Sequence, residues 1–317
     1  MRIAVFIAIF IATIAALAAA QDQAPPGSGP TNVNLGIYLL DLAEIDGADQ
    51  QIVVDFVVRA TWQDPRLEPG KYDVSKVWTP ELGIVNERRL FRKRKEVVAV
   101  TADHTVTYQQ RYWGTLSAPI QLHEFPLDTQ TVRIELVSTE GVTLLKNEAL
   151  IGRSSELSIS DWSVDAWAVT PKTFNFLPRA RGYNGVVFEL EARRYLGFFI
   201  WKIILPLVLI VFMSWAVFWI DPVAHGPQIG VTITSMLTLM AYRVAMAQFL
   251  PNLPYLTRLD RFITGSTILV FFAMVQEVAT IRMVRKKHPN LARRTDQFSR
   301  KAFPLAFALL VLVAFWL

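Results

Sequence analysis

The chain has 317 residues, 52% hydrophobic and 19% charged, with a mean hydropathy of +0.32; this is too apolar for an ordinary soluble domain, points to a membrane protein and excludes intrinsic disorder. It contains no cysteine, which removes disulfides, thiolate metal sites, iron–sulfur clusters and a cysteine nucleophile. The net charge of +5 is unevenly split: residues 21–195 hold 19 Lys and Arg against 23 Asp and Glu, and the remainder 13 against 4, which suits a two-sided membrane protein and not a nucleic-acid binder.

Residues 1–20 read as a secretory signal, with Arg2 ahead of the apolar stretch Ile3–Leu17 and the small residues Ala18–Ala20 before Gln21. The alternative is a first transmembrane helix, for which the stretch is short. Residues 21–30 form a flexible leader. From residue 31 to 195 no apolar run reaches membrane length. Short alternating or β-branched segments predict strands over 34–42, 51–61, 96–101, 105–111, 131–137, 162–170 and 185–193, broken by Gly, Pro, Asn and Asp. Seven strands at this spacing predict an all-β, immunoglobulin-like sandwich. Within 131–137, alternation puts Val132, Ile134 and Leu136 on one face. The five tryptophans Trp62, Trp78, Trp113, Trp162 and Trp167 are expected in its core and interfaces.

The character changes after Tyr195. Apolar segments over 197–219, 229–250, 262–281 and 302–317 predict a four-helix transmembrane bundle occupying 196–317. Lys202 is the one charge in the first, close enough to its start to snorkel. The stretch 282–301 reads as a basic cytoplasmic linker, in which Arg282, Arg285, Lys286, Lys287, Arg293, Arg294, Arg300 and Lys301 face a single acid, Asp296. The positive-inside rule and the signal peptide therefore agree on an N-terminal domain outside the cytoplasm and a C-terminus also outside. Arg193 and Arg194 stand on the wrong side of that rule and need a local reason.

The second span carries Thr232, Thr234, Ser235 and Thr238. Helical spacing aligns Gly230, Thr234, Leu237, Ala241, Val244 and Gln248 in one stripe. Two readings stand: close interhelical packing, or a water-facing surface. One helix cannot enclose a conduit, so the second requires a ring of identical subunits.

A resemblance now covers nearly the whole mature chain. Its motifs are Trp62–Leu67 (WQDPRL), Val77–Glu81 (VWTPE), Glu124–Gln130 (EFPLDTQ), Ile204-Leu205-Pro206, Leu237-Thr238 and the run LPNLPY that ends at Tyr255. In this order, with this topology, the chain resembles the prokaryotic pentameric ligand-gated ion channels, the cysteine-free branch of the Cys-loop receptor superfamily. The resemblance implies a homopentamer of four further identical subunits around a central pore in the bacterial inner membrane. It also implies contact with membrane lipid and permeant inorganic ions, a small-molecule effector and no enzymatic activity. It makes the stripe pore-lining and Leu237 an apolar gate. It places Phe125, Pro126 and Asp128, with Arg193, at a coupling seam where carboxylate and guanidinium pair. Asp46 or Asp49 would complete that cluster, and Pro251, Pro254 and Tyr255 would receive the push.

Selectivity is open in the residues: His225-Gly226-Pro227-Gln228 offers neither an acidic ring nor a Pro-Ala-Arg run, and Asp221 is the one nearby carboxylate. The resemblance to prokaryotic members favours cations. For the effector, Phe174, Phe176 and Tyr183 are the remaining aromatic candidates, too few for an amine cage. Arg88, Arg89, Arg92, Lys93, Arg94 and Lys95 form either a solvated loop or an attractor for an anion, such as a carboxylate. His104, His123, His225 and His288 have no metal-ligand spacing, and neither metal nor cofactor is expected. No hydrolase, nucleotide or zinc-protease motif occurs. The rival reading is a non-conducting sensor or binding module anchored by four helices.

Overall fold

The computed structural model describes residues 24–27, 29–93, 97–176, 182–221, 223, 225–247 and 253–316. The expected signal peptide, the first residues of the leader, Arg94, Lys95, Gln248 and Pro251 lie outside them. The chain divides into two compact units. One runs to Ile120 and resumes over Gln130–Ala192; the other joins the loop Gln121–Thr129 to Arg193–Leu317.

The first unit is a β-sandwich. Its strands are β1 (Thr31–Asp46), β2 (Gln51–Gln63), β3 (Gly70–Asp73), β4 (Leu82–Ile84), β5 (Glu87–Lys93), β6 (Val97–Val100), β7 (Thr105–Ser117), β8 (Thr129–Ser138), β9 (Val142–Lys146), β10 (Gly152–Arg153), β11 (Trp162–Phe174) and β12 (Tyr183–Arg194). One sheet runs β10-β1-β2-β7-β6-β3, with β5 also on β7 and β9 also on β1; the other runs β11-β12-β8-β4. All seven expected strands are present and most are longer than the pattern suggested. The period-2 pattern is the cause. Ile52, Val54, Phe56, Val58, Ala60 and Trp62 of β2 point inward, opposed across the sandwich by Val132, Ile134 and Leu136 of β8, all 2% exposed or less. Each large apolar side chain buried this way contributes about 1.5–3 kcal/mol.

β3, β4, β9 and β10 are too short to be legible as sequence, and the seven residues of β5, nearly all exposed, show no apolar alternation. Of these β5 matters most, because the basic run Arg88–Lys93 is a strand and not a solvated loop. It pairs antiparallel with β7, with a register shift between Glu87 and Arg89. Gly114 of β7 sits at φ +146°, and a Cβ there would lie 2.1 Å from the Arg89 carbonyl oxygen. Only glycine permits this approach of β5 to β7.

The second unit holds four helices: α1 (Gly197–Trp219), α2 (His225–Met246), α3 (Arg258–Arg285) and α4 (Pro289–Trp316). α1 contains a π-helical turn over Ile200–Ile204 just ahead of Pro206, whose missing N–H removes one rung of the helical ladder. Thr257 and Asp260 form a capping box that starts α3. Gly265 of α3 takes α4 close, a Cβ there meeting Leu310 Cδ1 at 2.1 Å. The stretch 282–301 differs from the linker expected: it is helical except at 286–288, where Lys287 adopts φ 65°. Charge made it read as a loop, yet its first turn continues α3 and its last thirteen residues begin α4 with Ala292, Asp296 and Ser299 buried.

Candidate functional site

α2 is the least self-contained helix with α4: each buries 17% of its apolar window within the chain, against 33% for α1 and α3. Its buried side is Gln228, Thr232, Ser235 and Leu239. At about 100° per residue these four centre on the side opposite Leu237. Gly230, Thr234, Leu237, Ala241 and Val244 lie on the other side, all exposed, with Leu237 at 65% and Val244 at 72%. The four hydroxyls therefore do not act as one set. Thr232 and Ser235 face the chain's own helices and donate to the carbonyls of Gln228 and Val231. Thr234 donates to the Gly230 carbonyl at 2.8 Å and shares the open side with Thr238. Tyr242, which the sequence did not single out, ties α2 to α1 through a 2.7 Å hydrogen bond from its hydroxyl to the Ile203 carbonyl at the π-helical turn. Gln228 donates to the Ile220 carbonyl. Asp221 accepts from Val223 N and from Arg293, and these interactions hold its carboxyl below the ordinary value.

The loop Gln121–Thr129 is built into the helical unit by its own backbone and side chains. Arg258 N and Leu259 N, at the open start of α3, donate to the carbonyls of His123 and Phe125. Leu122 N donates to the Tyr255 hydroxyl at 3.1 Å, and the His123 ring stacks on Tyr255 with centroids 3.9 Å apart. Arg258 pairs with Glu124 at 2.9 Å. The Phe125–Pro126 bond is cis. Phe125 packs edge-on against Phe199 of α1 at 5.0 Å.

Asp128 is 2% exposed, and its partner is Arg194: Nε to Oδ1 at 3.0 Å and Nη2 to Oδ2 at 3.3 Å. A carboxylate–guanidinium pair of the kind expected at this seam is therefore made by Arg194, the residue after Arg193. Along β12, Ala192 is buried and Arg194 half-buried while Arg193 is exposed, because successive strand residues face opposite ways. Arg194 also lies over the Phe125 ring at 4.9 Å. Asp46 and Asp49 occupy the β1–β2 turn of the sandwich, where Asp46 Oδ1 accepts from Ala48 N and Asp49 N. Pro254 is exposed in the segment before α3.

In the sandwich the expected effector residues separate. Arg92, Phe176 and Tyr183 line one cavity of about 550 Å³, together with Glu81, Tyr108 and Tyr112. Phe174 is buried behind it, its ring parallel to that of Phe176 at 6.2 Å. Arg88 and Arg89 line a smaller one of about 360 Å³ with Gln51 and Thr115, and Arg88 Nη1 already donates to the Asp49 carbonyl and Gln51 Oε1. Lys93 belongs to an ion cluster on β2, β5 and β7. Asp55, 10% exposed, takes Arg111 in a bidentate pair at 2.8 and 2.7 Å and Lys93 at 3.4 Å. Burial pushes the Asp55 carboxyl up, but Arg111 and Lys93 more than offset this and hold it below the ordinary value. The WQDPRL motif is structural: Asp64, fully buried, pairs with Arg66 at 2.7 Å, and Trp62 packs edge-on against Trp78.

A β-sandwich followed by four apolar helices, with the β7–β8 loop seated on the helices, is the architecture of a ligand-gated channel. The family model for the neurotransmitter-gated ion-channel ligand binding domain matches residues 20–143, and that for the neurotransmitter-gated ion-channel transmembrane region matches 203–308. The chain belongs to this family of ligand-gated ion channels, and is an integral membrane protein with an extracellular domain and not an enzyme. It is 25% identical over 306 residues to a proton-gated ion channel of Gloeobacter violaceus, covering 91% of this chain and 85% of the relative. It is 22% identical over 284 residues to a gamma-aminobutyric acid receptor subunit beta of Lymnaea stagnalis, and 23% identical over 294 residues to the human subunit rho-3. These alignments cover 80% and 86% of this chain but 56% and 63% of the two receptor subunits.

Proposed function

We propose that this chain is one of five identical subunits of a channel in a bacterial inner membrane. Its sandwich and C-terminus lie outside the cytoplasm, and α2 lines the pore. The observation that carries this reading is the stripe from Gly230 to Val244, exposed in the single chain and opposite the side that α2 packs against its own bundle. Five copies around an axis give that stripe a water-filled space to face, and a ring of Leu237 side chains then forms a gate that closes by dewetting. A non-conducting sensor has no use for an open stripe of small and hydroxyl residues on one helix. The loop Gln121–Thr129 is suited to pass motion from sandwich to pore, being hydrogen-bonded to the start of α3 and packed against α1.

The cavity holding Arg92, Phe176 and Tyr183 suits a small carboxylate: the guanidinium supplies the charge and the aromatic rings the walls. The pore stripe carries no ionised side chain, and cation conduction rests on the resemblance to prokaryotic members. Planar-bilayer recording across asymmetric salt, at several pH values and with benzoate or acetate added, tests conduction, selectivity and effector together. Native mass spectrometry tests assembly. A stable tetramer or monomer, or the absence of any current, overturns the proposal.

A further inference from the structure

Between α3 and α4, near the Arg285–Pro289 turn, the bundle encloses an acidic group that the channel reading does not use. Glu277 of α3 is 2% exposed and Asp296 of α4 fully buried, and the two carboxylates lie within electrostatic reach of each other. Both oxygens of Glu277 lack a hydrogen-bond partner, as does Asp296 Oδ2. Asp296 Oδ1 accepts from Gln276 Nε2 at 3.3 Å and Thr280 Oγ1 at 3.4 Å. Ser299 Oγ donates to Gln276 Oε1 at 2.5 Å. Hydroxyls and amide are thus arranged around one side of Asp296, leaving three carboxylate oxygens facing no donor.

Among the described residues no base is hydrogen-bonded to these oxygens. Arg300, one turn further along α4 and within electrostatic range of Asp296, gives its Nε to the Phe218 carbonyl at 2.9 Å and lies over the Trp219 ring at 4.8 Å. Asp221, the other charged neighbour in range, is acidic and paired with Arg293. Two buried carboxylates compensated only in part, by two hydrogen bonds to one oxygen and a distant guanidinium, are a costly arrangement. Their position limits what can compensate them. Glu277 is eight residues before the end of α3 and Asp296 seven after the start of α4, about 12 and 10 Å along the helices at 1.5 Å per residue. Both carboxylates therefore lie about two turns inside the ends of their helices.

We propose that Glu277 and Asp296, with the hydroxyl oxygens of Thr280 and Ser299, form a binding site for a hard divalent cation that fastens α4 to α3. The donor set is all oxygen, which selects against soft and imidazole-preferring metals. A bidentate glutamate and irregular hydroxyl donors suit Ca²⁺, which tolerates six to eight oxygens, better than Mg²⁺, which requires a near-ideal octahedron.

The test uses the purified full-length channel in detergent at mildly alkaline pH. Thermal unfolding is compared in EDTA, CaCl2 and MgCl2. A hundredfold excess of Ca²⁺ over its Kd should raise Tm by about 5 °C, with a smaller effect of Mg²⁺. Glu277→Gln and Asp296→Asn should each abolish the shift. An unchanged Tm in the parent would overturn the proposal and leave the two carboxyls held by protons. A shift that persists in both variants would also overturn it, by placing the ion elsewhere. Should either variant fail to assemble, Tb³⁺ luminescence of the parent decides. Emission sensitised through Trp215, which donates to the Arg300 carbonyl, should be displaced by Ca²⁺ and weakened in Trp215→Phe. Emission that Ca²⁺ does not displace, or none, refutes the site.

Discussion

The buried pair of Asp128 and Arg194 gives a prediction whose magnitude follows from its geometry. The two side chains are 2% and 11% exposed and meet through two nitrogen–oxygen contacts, and the guanidinium also covers the Phe125 ring. Removing one partner of such a pair strands the other charge, at about 3–5 kcal/mol. Arg194→Ala and Asp128→Ala are each predicted to impair activation strongly while pentamers still form, since neither residue belongs to α2. The double substitution removes the stranded charge and should recover about 2 kcal/mol of the summed loss, roughly thirtyfold in the activation equilibrium. Arg194→Lys keeps the charge but loses the two-pronged contact and should fall between parent and alanine. The assay is a four-way cycle of effector concentration–response curves, with size-exclusion profiles as the control for assembly. Strict additivity would refute a direct pair. So would an Arg194→Ala channel that activates like the parent.

Four further outcomes are expected. Leu237→Ser should hydrate the constriction and produce leak or raised effector sensitivity in recordings, whereas Leu239→Ser, fully buried on the opposite side, should lower Tm by loss of packing worth about 2–5 kcal/mol without that leak. Tyr242→Phe should lose the bond to the Ile203 carbonyl and about 1 kcal/mol, read as a small fall in Tm. Arg92→Ala should weaken any response to carboxylates more than Arg88→Ala does, as measured by concentration–response, because Arg92 lines the larger cavity beside Phe176 and Tyr183. For Asp55 the folded carboxyl titrates below its ordinary value, so its contribution is fully present above the unfolded pKa and lost as pH falls through the depressed folded one. Acid unfolding of Asp55→Asn should therefore be flatter in that window, with a loss of about 1 kcal/mol at neutral pH given the half-exposed partners. A parallel acid limb in parent and variant would contradict it.

Local pattern was enough to specify both layers of this protein. The period-2 alternation of Gln51–Thr61 and Thr131–Val137 determines strands because side chains alternate faces whatever the fold. Apolar length determines four helices because about 20 residues are needed to cross a bilayer. The stripe on α2 was legible for the same reason: helical spacing alone groups Gly230, Thr234, Leu237, Ala241 and Val244. What the sequence could not decide were facts that depend on a partner distant in the chain. Short β5 became a strand only because β7 offers it a ladder and Gly114 a gap. Thr232 and Ser235 turned inward because the bundle, not their chemistry, selects the buried side of α2. Arg194 meets Asp128 because each step along β12 reverses the side chain, and only tertiary packing says which step faces the loop. Glu277 and Asp296, nineteen positions apart in a stretch that charge disguised as a linker, meet because α3 and α4 fold back antiparallel across a short turn and bury the same face of each.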